Sequence, residues 1–174
     1  MGGENELAEA RFKKALKGRA SFSVAAINVS YARFLMKNKR CNEALPHLEL
    51  ASQDLSYKSR HNAFFYSGQC MDQLDNIVKA KEFYERTLAV YPKHREAAIY
   101  LAEHVFAERD YVSTKKYLDI HERYSKPTAR ALWLGIRLER VFGNKDKEAD
   151  LALALKKRFP YSKEYLSYKN FAKE

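Results

Sequence analysis

The sequence predicts an all-α fold made of antiparallel helix pairs repeated along the chain, and three observations predict it. The 174 residues include only six Gly and four Pro, about half the usual share, so a β-sandwich with a turn every 8 to 12 residues or so lacks its turn residues. A content of 46% hydrophobic and 31% charged residues supports a packed core and excludes wholesale disorder. Finally, a small residue followed by a small-x3-large-x2-small triplet recurs at intervals of 33 to 36 residues, the mark of stacked helical units.

The elements follow in order. Residues 1–20 read as half a repeat, because Ala8-x3-Phe12-x2-Ala15 supplies a second-type helix without a first. Residues 21–56 form a full repeat, with Ala32 on its first helix, a turn at Asn38-Lys39-Arg40 and Ala44-x3-Leu48-x2-Ala51 on its second. A longer polar link from Ser52 to Arg60 leads into residues 57–92, which carry Phe64-Phe65-Tyr66, Gly68, a turn at Asp75-Asn76, Ala80-x3-Tyr84-x2-Thr87 and Pro92. Residues 93–126 repeat the order with Ala102, Arg109-Asp110 and Thr114-x3-Leu118-x2-His121. A looser copy fills residues 127–160, with Gly135, Gly143-Asn144, Ala149, Leu153 and Pro160. Residues 161–174 form a capping helix from Lys163 to Ala172, whose Tyr165, Tyr168 and Phe171 make an apolar stripe for the exposed end of a stack.

The physical reason for the pattern is close approach. A small residue lets the first helix of a pair come near the second, and the triplet fills the space between them. Polar, turn-competent residues close each pair, and proline marks the restart of the next. This is the order of the tetratricopeptide (TPR) unit, and ten helices in a single TPR array are expected. Each pair buries its core only against its neighbours, so the array should wind as a right-handed solenoid.

The net charge of +10 is uneven. Residues 1–40 hold nine Lys/Arg against three Asp/Glu and residues 145–174 eight against five, while the centre is nearly neutral at 15 against 14. Nucleic-acid binders lay basic residues along a working face, so no nucleic-acid partner is expected. Cys41 and Cys70 form no CxxC or zinc set. They read as small buried apolar residues; an oxidising compartment would make a bridge between them conceivable, but a Cα separation above about 7 Å, which excludes one, is expected. No run of 18 apolar residues is present, and the start is acidic with no apolar h-region, so no signal peptide is read.

Signals for catalysis are absent: the sequence holds no GxxxxGK[ST], GxGxxG or GxSxG. His121-Glu122-Arg123-Tyr124-Ser125 opens like a zinc-protease helix, but its fifth residue is Ser. His47, His61, His94 and His104 are scattered and make no ligand set, and Glu148 and Asp150 fall on a solvated helix side. No catalytic residue, metal or cofactor is expected. The site to expect is a groove lined by first helices: Val29, Arg33 and Lys37, then Asn62, Phe65, Gln69 and Asp72, then Ile99, Glu103 and Phe106. Phe65 and Phe106 would anchor a bound peptide, with the charged residues setting selectivity.

Several stretches go beyond a generic repeat. They are Asn28-x2-Tyr31-Ala32-x-Phe34-Leu35 running on to Glu43-Ala44-x3-Leu48-x2-Ala51-Ser52-Gln53-Asp54, and the link Tyr57-x2-Ser59-Arg60. Two more are Ala129-Arg130-Ala131-Leu132-Trp133-Leu134-Gly135-Ile136-Arg137-Leu138-x2-Val141-Phe142 and Leu155-Lys156-x2-Phe159-Pro160-x-Ser162-x-Glu164-Tyr165. In these the chain resembles the type IV pilus biogenesis and stability proteins, TPR outer-membrane lipoproteins of the PilF/PilW kind. The resemblance implies a non-catalytic periplasmic scaffold that helps the pilus secretin reach and assemble in the outer membrane. Its partners would be proteins, its membrane contact a lipid anchor outside this chain, and its state mainly monomeric. Family members begin with a lipidated cysteine and earlier repeats, so the chain reads as starting inside a repeat. The alternative from another class is a cytoplasmic TPR adaptor holding a peptide of a chaperone or secretion system in the same groove. A regulatory TPR domain cut from an enzyme is the third.

Overall fold

A computed structural model describes residues 2–18 and 23–171. The expected boundary between half repeat and first repeat at residues 20 and 21, and the expected last residue of the terminal helix, Ala172, lie outside them. The described residues form ten α-helices and no strand, and the chain divides into two compact units at Pro92/Lys93.

The first unit contains α1 (Gly2–Lys17), α2 (Val24–Lys37), α3 (Cys41–Gln53), α4 (Arg60–Gln73) and α5 (Ile77–Val90). Helices α2/α3 and α4/α5 are hairpins. Ala32, Ala44, Leu48 and Ala51 are buried in one cluster with Tyr31 and Leu35, against which Phe12 and Leu16 of α1 pack. The Phe12 ring stacks on Tyr31 at 5.3 Å and meets Phe34 at 5.6 Å. Beside these rings Glu9 accepts hydrogen bonds from the Tyr31 hydroxyl (3.0 Å) and the Arg40 guanidinium (2.5 and 3.1 Å), and pairs with Lys13 (2.8 Å). Arg40 and then Lys13 hold the Glu9 carboxyl far below the ordinary carboxylate range. Arg40 also grips Glu43, so one guanidinium ties α1 to the α2–α3 turn. Pro46 sits inside α3 on its exposed side, where water can satisfy the carbonyl left without its N–H.

The second unit contains α6 (Arg95–Ala107), α7 (Tyr111–Tyr124), α8 (Ala129–Val141), α9 (Lys145–Arg158) and α10 (Lys163–Phe171). Ile99, Ala102, Leu118, Ala131, Leu134 and Leu138 form one buried cluster; Leu132, Ile136, Ala152 and Leu155 form another, against which Tyr165 and Tyr168 of α10 pack. Buried His121 joins three elements: its Nδ1 donates to the Arg95 carbonyl at 2.8 Å and its Nε2 accepts from the Thr128 hydroxyl at 3.3 Å. The same Thr128 oxygen caps α8 by accepting the Ala131 N–H. His121 is therefore a structural crosslink within the unit.

All four hairpins close with one turn. Lys39, Asp75, Arg109 and Gly143 each take a left-handed backbone, with φ of 60°, 56°, 63° and 73°. The next residue donates back to the carbonyl five residues earlier in every case: Arg40 to Leu35, Asn76 to Met71, Asp110 to Val105 and Asn144 to Glu139, each at 2.9 Å. This is the Schellman closure, which satisfies carbonyls left over at a helix end. Only the fourth turn uses the residue type that favours this conformation.

The fourth hairpin also corrects the expected register. Counted five residues on from the left-handed turn residue, the triplets are 44-48-51, 80-84-87, 114-118-121 and Glu148-Ala152-Leu155. Ala152 and Leu155 are buried, whereas the expected Ala149 and Leu153 face solvent. Ile136 stands seven residues before its turn, where Ala32, Gly68 and Ala102 stand before theirs. In the first three hairpins the small residue is on the first helix and the large one on the second (Leu48, Tyr84, Leu118). In the fourth the sizes are exchanged between Ile136 and Ala152. Gly135 marks a different close approach, where an added Cβ would meet Leu151 at 3.1 Å.

Cys41 and Cys70 are buried free thiols. Cys41 donates to Gln73 Oε1 at 3.2 Å, and burial together with the neighbouring Cys41 pushes the Cys70 thiol up. Among the described residues no helix is long and apolar enough to cross a membrane.

Candidate functional site

The expected groove face is displaced by one residue at a single repeated position. Val29, Phe65 and Ile99 are only 6%, 7% and 4% exposed, so they are core residues and not groove anchors. They share one place in successive repeats, where the first helix meets its neighbours. Phe65 packs against Tyr66 and Tyr84, and Ile99 lies among Leu118, Leu134 and Leu138. The residue after each, Ser30, Tyr66 or Tyr100, reaches the surface instead. A helix turns about 100° per residue, so one residue of phase error exchanges wall for surface.

In the first unit the remaining expected residues stay on the surface or at its edge. Arg33 is exposed and lies 5.2 Å over the Tyr66 ring. Lys37 lines a shallow cleft with Gln73 and Leu74. Asn62 and Gln69 are half-buried, and Asp72 accepts the Tyr84 hydroxyl at 2.5 Å. Asp72 is thereby committed to holding the ring that fills the α4–α5 gap.

In the second unit Glu103 and Phe106 help to line a cleft. It measures about 720 Å³ and is walled by α6 (Tyr100, Glu103, Phe106), α8 (Arg130, Trp133, Arg137) and the start of α10 (Lys163, Glu164). The α8 residues fall at i, i+3 and i+7, one stripe of a helix. Arg130 lies 3.9 Å over the Tyr100 ring and grips Glu103 with two hydrogen bonds, Nε to Oε1 at 2.6 Å and Nη2 to Oε2. Burial works against its charge, but the bonds to Glu103 outweigh this and hold Arg130 protonated.

Arg137 is placed differently. Its guanidinium lies 4.7 Å from the Phe106 ring centre and 5.2 Å from that of Trp133. Its Nε is buried without a hydrogen-bond partner among the described residues. Burial lowers its affinity for its proton, and only the more distant charge of Glu103 works in the other direction. Trp133 is fixed edge-on by Phe171 (5.3 Å) and Tyr168 (6.4 Å) of α10. Tyr100, Arg130, Trp133 and Arg137 escaped the sequence reading, although the last three lie in the stretch that carried the family resemblance.

A preformed wall of aromatic and guanidinium groups suits binding. Among the described residues no group of three His, Cys, Asp or Glu side chains gathers as a metal site would require.

No protein-family model matches the chain. A curated relative, the type IV pilus assembly protein PilF of Pseudomonas aeruginosa, is 34% identical over 165 residues. These residues make up 95% of this chain and 65% of the relative, so the chain spans about two thirds of that relative's length. Among solved structures, Pseudomonas aeruginosa PilF superimposes with a TM-score of 0.88 at 34% identity, over 96% of this chain and 74% of the other. PilW, described as a widely conserved type IV pilus biogenesis factor, superimposes with a TM-score of 0.76 at 25% identity, over 94% and 74%. A tetratricopeptide repeat protein from Parabacteroides merdae, at 0.74 and 20% identity over 92% and 62%, shares the fold.

Proposed function

The chain belongs to the PilF/PilW family of type IV pilus biogenesis TPR proteins, and from that premise we propose that it is a non-catalytic protein-binding scaffold assisting assembly of the outer-membrane secretin. The observation that carries this reading is the 34% identity to PilF across 95% of the chain. The cleft of the second unit supports it, because stacked Arg, Trp and Tyr side chains are the residue types that dominate binding hot spots. In this reading the parent protein works in the periplasm, held at the outer membrane by a lipid on its N-terminal side, and acts mainly as a monomer. Arg33, Lys37, Asn62, Gln69 and Asp72 belong to a contact face of the first unit, and Glu103 and Phe106 to the cleft of the second.

The test is deletion of the gene in its own host, followed by fractionation of the membranes and detection of the secretin. The expected result is loss of assembled secretin from the outer membrane, its return with the wild-type gene, and co-recovery of secretin with the tagged intact protein. Unchanged secretin in the deletion strain overturns the proposal.

A further inference from the structure

The cleft between α6, α8 and α10 holds two arginines with different electrostatic situations. Arg130 is neutralised by Glu103 in a bidentate pair. Arg137 lies against Phe106 and Trp133, with no ion pair to a carboxylate and no acceptor for its buried Nε among the described residues. Arg137 is half-buried, and a cation partly withdrawn from water without an ion-pair partner carries a free-energy cost that a ligand carboxylate at its terminal nitrogens would reduce. The charged groups lining the cleft are Arg130, Arg137, Lys163, Glu103 and Glu164, an excess of one positive charge. That excess complements one carboxylate. A polyanion such as nucleic acid or an anionic lipid surface would meet Glu103 and Glu164 as well. The aromatic wall and the volume of about 720 Å³ leave room for more than an isolated ion.

We propose that this cleft docks one acidic side chain of a partner protein, an Asp or Glu within an extended segment, beside an apolar residue. The terminal nitrogens of Arg137 pair the carboxylate, and Phe106 and Trp133 hold the apolar neighbour. The inference rests on the reading of the chain as a protein-binding scaffold and adds the chemistry that the scaffold recognises.

The experiment uses the full chain and an array of peptides blocked at both ends, each with a central Glu, Gln or phosphoserine between varied apolar residues. A further set carries no acidic side chain but a free C-terminal carboxylate, and inorganic phosphate is the competitor. The expected result is retention of Glu peptides about tenfold more tightly than their Gln counterparts, the effect of one charge-assisted pair. Arg137→Gln should remove that preference, Arg137→Lys should keep part of it, and Lys79→Gln, at an exposed position of α5, should leave it intact. Binding of a Glu peptide should also shift the indole N–H resonance of Trp133, the single tryptophan.

Equal retention of Glu and Gln peptides, retention of none, preference for phosphoserine or free C-termini, or displacement by phosphate each overturns the proposal. Should Arg137→Gln lose its helical circular dichroism, the Glu-against-Gln comparison on the wild-type chain and the Trp133 shift still decide it. The outcome is separable from the secretin test. A scaffold acting on secretin through its first unit would pass that test and fail this one, and a cytoplasmic adaptor would do the reverse.

Discussion

The two units close their hairpins with one backbone turn but fill and expose them differently. In the first, a small residue on the first helix faces a large one on the second, most extremely at Gly68 and Tyr84, where an added Cβ would lie 2.6 Å from the ring. In the second, the α6/α7 hairpin keeps this arrangement, whereas α8/α9 exchanges it between Ile136 and Ala152. The surfaces diverge as well. The first unit commits its strongest ionic cluster to docking α1 through Glu9 and Arg40, while the second leaves the Arg137 guanidinium against two aromatic rings with no ion pair to a carboxylate among the described residues. Turn geometry is thus shared by every repeat, but core volume is conserved only as a sum over each helix pair. Surface chemistry is free to vary.

The largest effects should come from the exchanged pair. Ile136→Ala removes a fully buried side chain and is expected to cost about 3 kcal/mol, the usual scale for a large-to-small change in a core. Adding Ala152→Leu should return about half of that, by rebuilding the arrangement of Ala102 and Leu118. Urea unfolding followed by the fluorescence of Trp133, which lies in this unit, measures both. A double variant no more stable than Ile136→Ala alone would break the volume-exchange comparison. The mirror experiment in the first unit pairs Tyr84→Leu with Gly68→Ala. There Gly68→Ala should destabilise the wild type by about 1 kcal/mol net, since overpacking outweighs the gain in helix propensity, and should stabilise the Tyr84→Leu background.

A smaller effect should distinguish the four turns. Gly143 at φ 73° carries no penalty for its left-handed backbone, so Gly143→Ala should cost about 1 kcal/mol. Arg109 takes the same conformation with a side chain, and Arg109→Gly should therefore raise stability by about 0.5 kcal/mol. Opposite signs in urea midpoints sharpen the claim that one turn serves all repeats. Equal signs would break it.

How far the sequence foretold the molecule follows from which residues carry redundant signals. The hairpins were legible because each is marked twice, by a small residue on one helix and a triplet on the other. The fourth misled because Gly135 and Ala149 match the pattern in composition, while Ile136 and Ala152 carry the packing. Groove residues carried only one signal, helical phase, and Val29, Phe65 and Ile99 show how a single residue of phase moves a side chain into the core. Arg130 and Arg137 look alike in sequence. Their difference arises from what folding brings near each, Glu103 to one and two aromatic rings to the other, and no local pattern encodes that.

The smallest expected effect concerns pH and separates the ionic junction of the first unit from the rest of the chain. Glu9 has an ordinary value of 4.5 and is held far below it by hydrogen bonds from Arg40 and Lys13. Glu43 is lowered in the same direction, chiefly by Arg40. Because the folded carboxylates bind protons less readily than the unfolded ones, their contribution is fully present above about pH 4.5 and fades as the pH falls below it. Amide exchange followed by NMR from pH 6.5 to 3.5 should show α1 losing protection relative to α2 and α3. The interior of the α2/α3 hairpin should hold, since Ala32, Leu35, Ala44 and Leu48 carry no charge. In Glu9→Gln the α1 amides should exchange faster at pH 6.5 and change less with pH, because the neutral side chain cannot titrate. An α1 whose protection is independent of pH in the wild type would mean that Phe12 on Tyr31 and Phe34 holds the helix without Glu9. The ionic cluster would then be a surface decoration, like the more exposed pairs elsewhere.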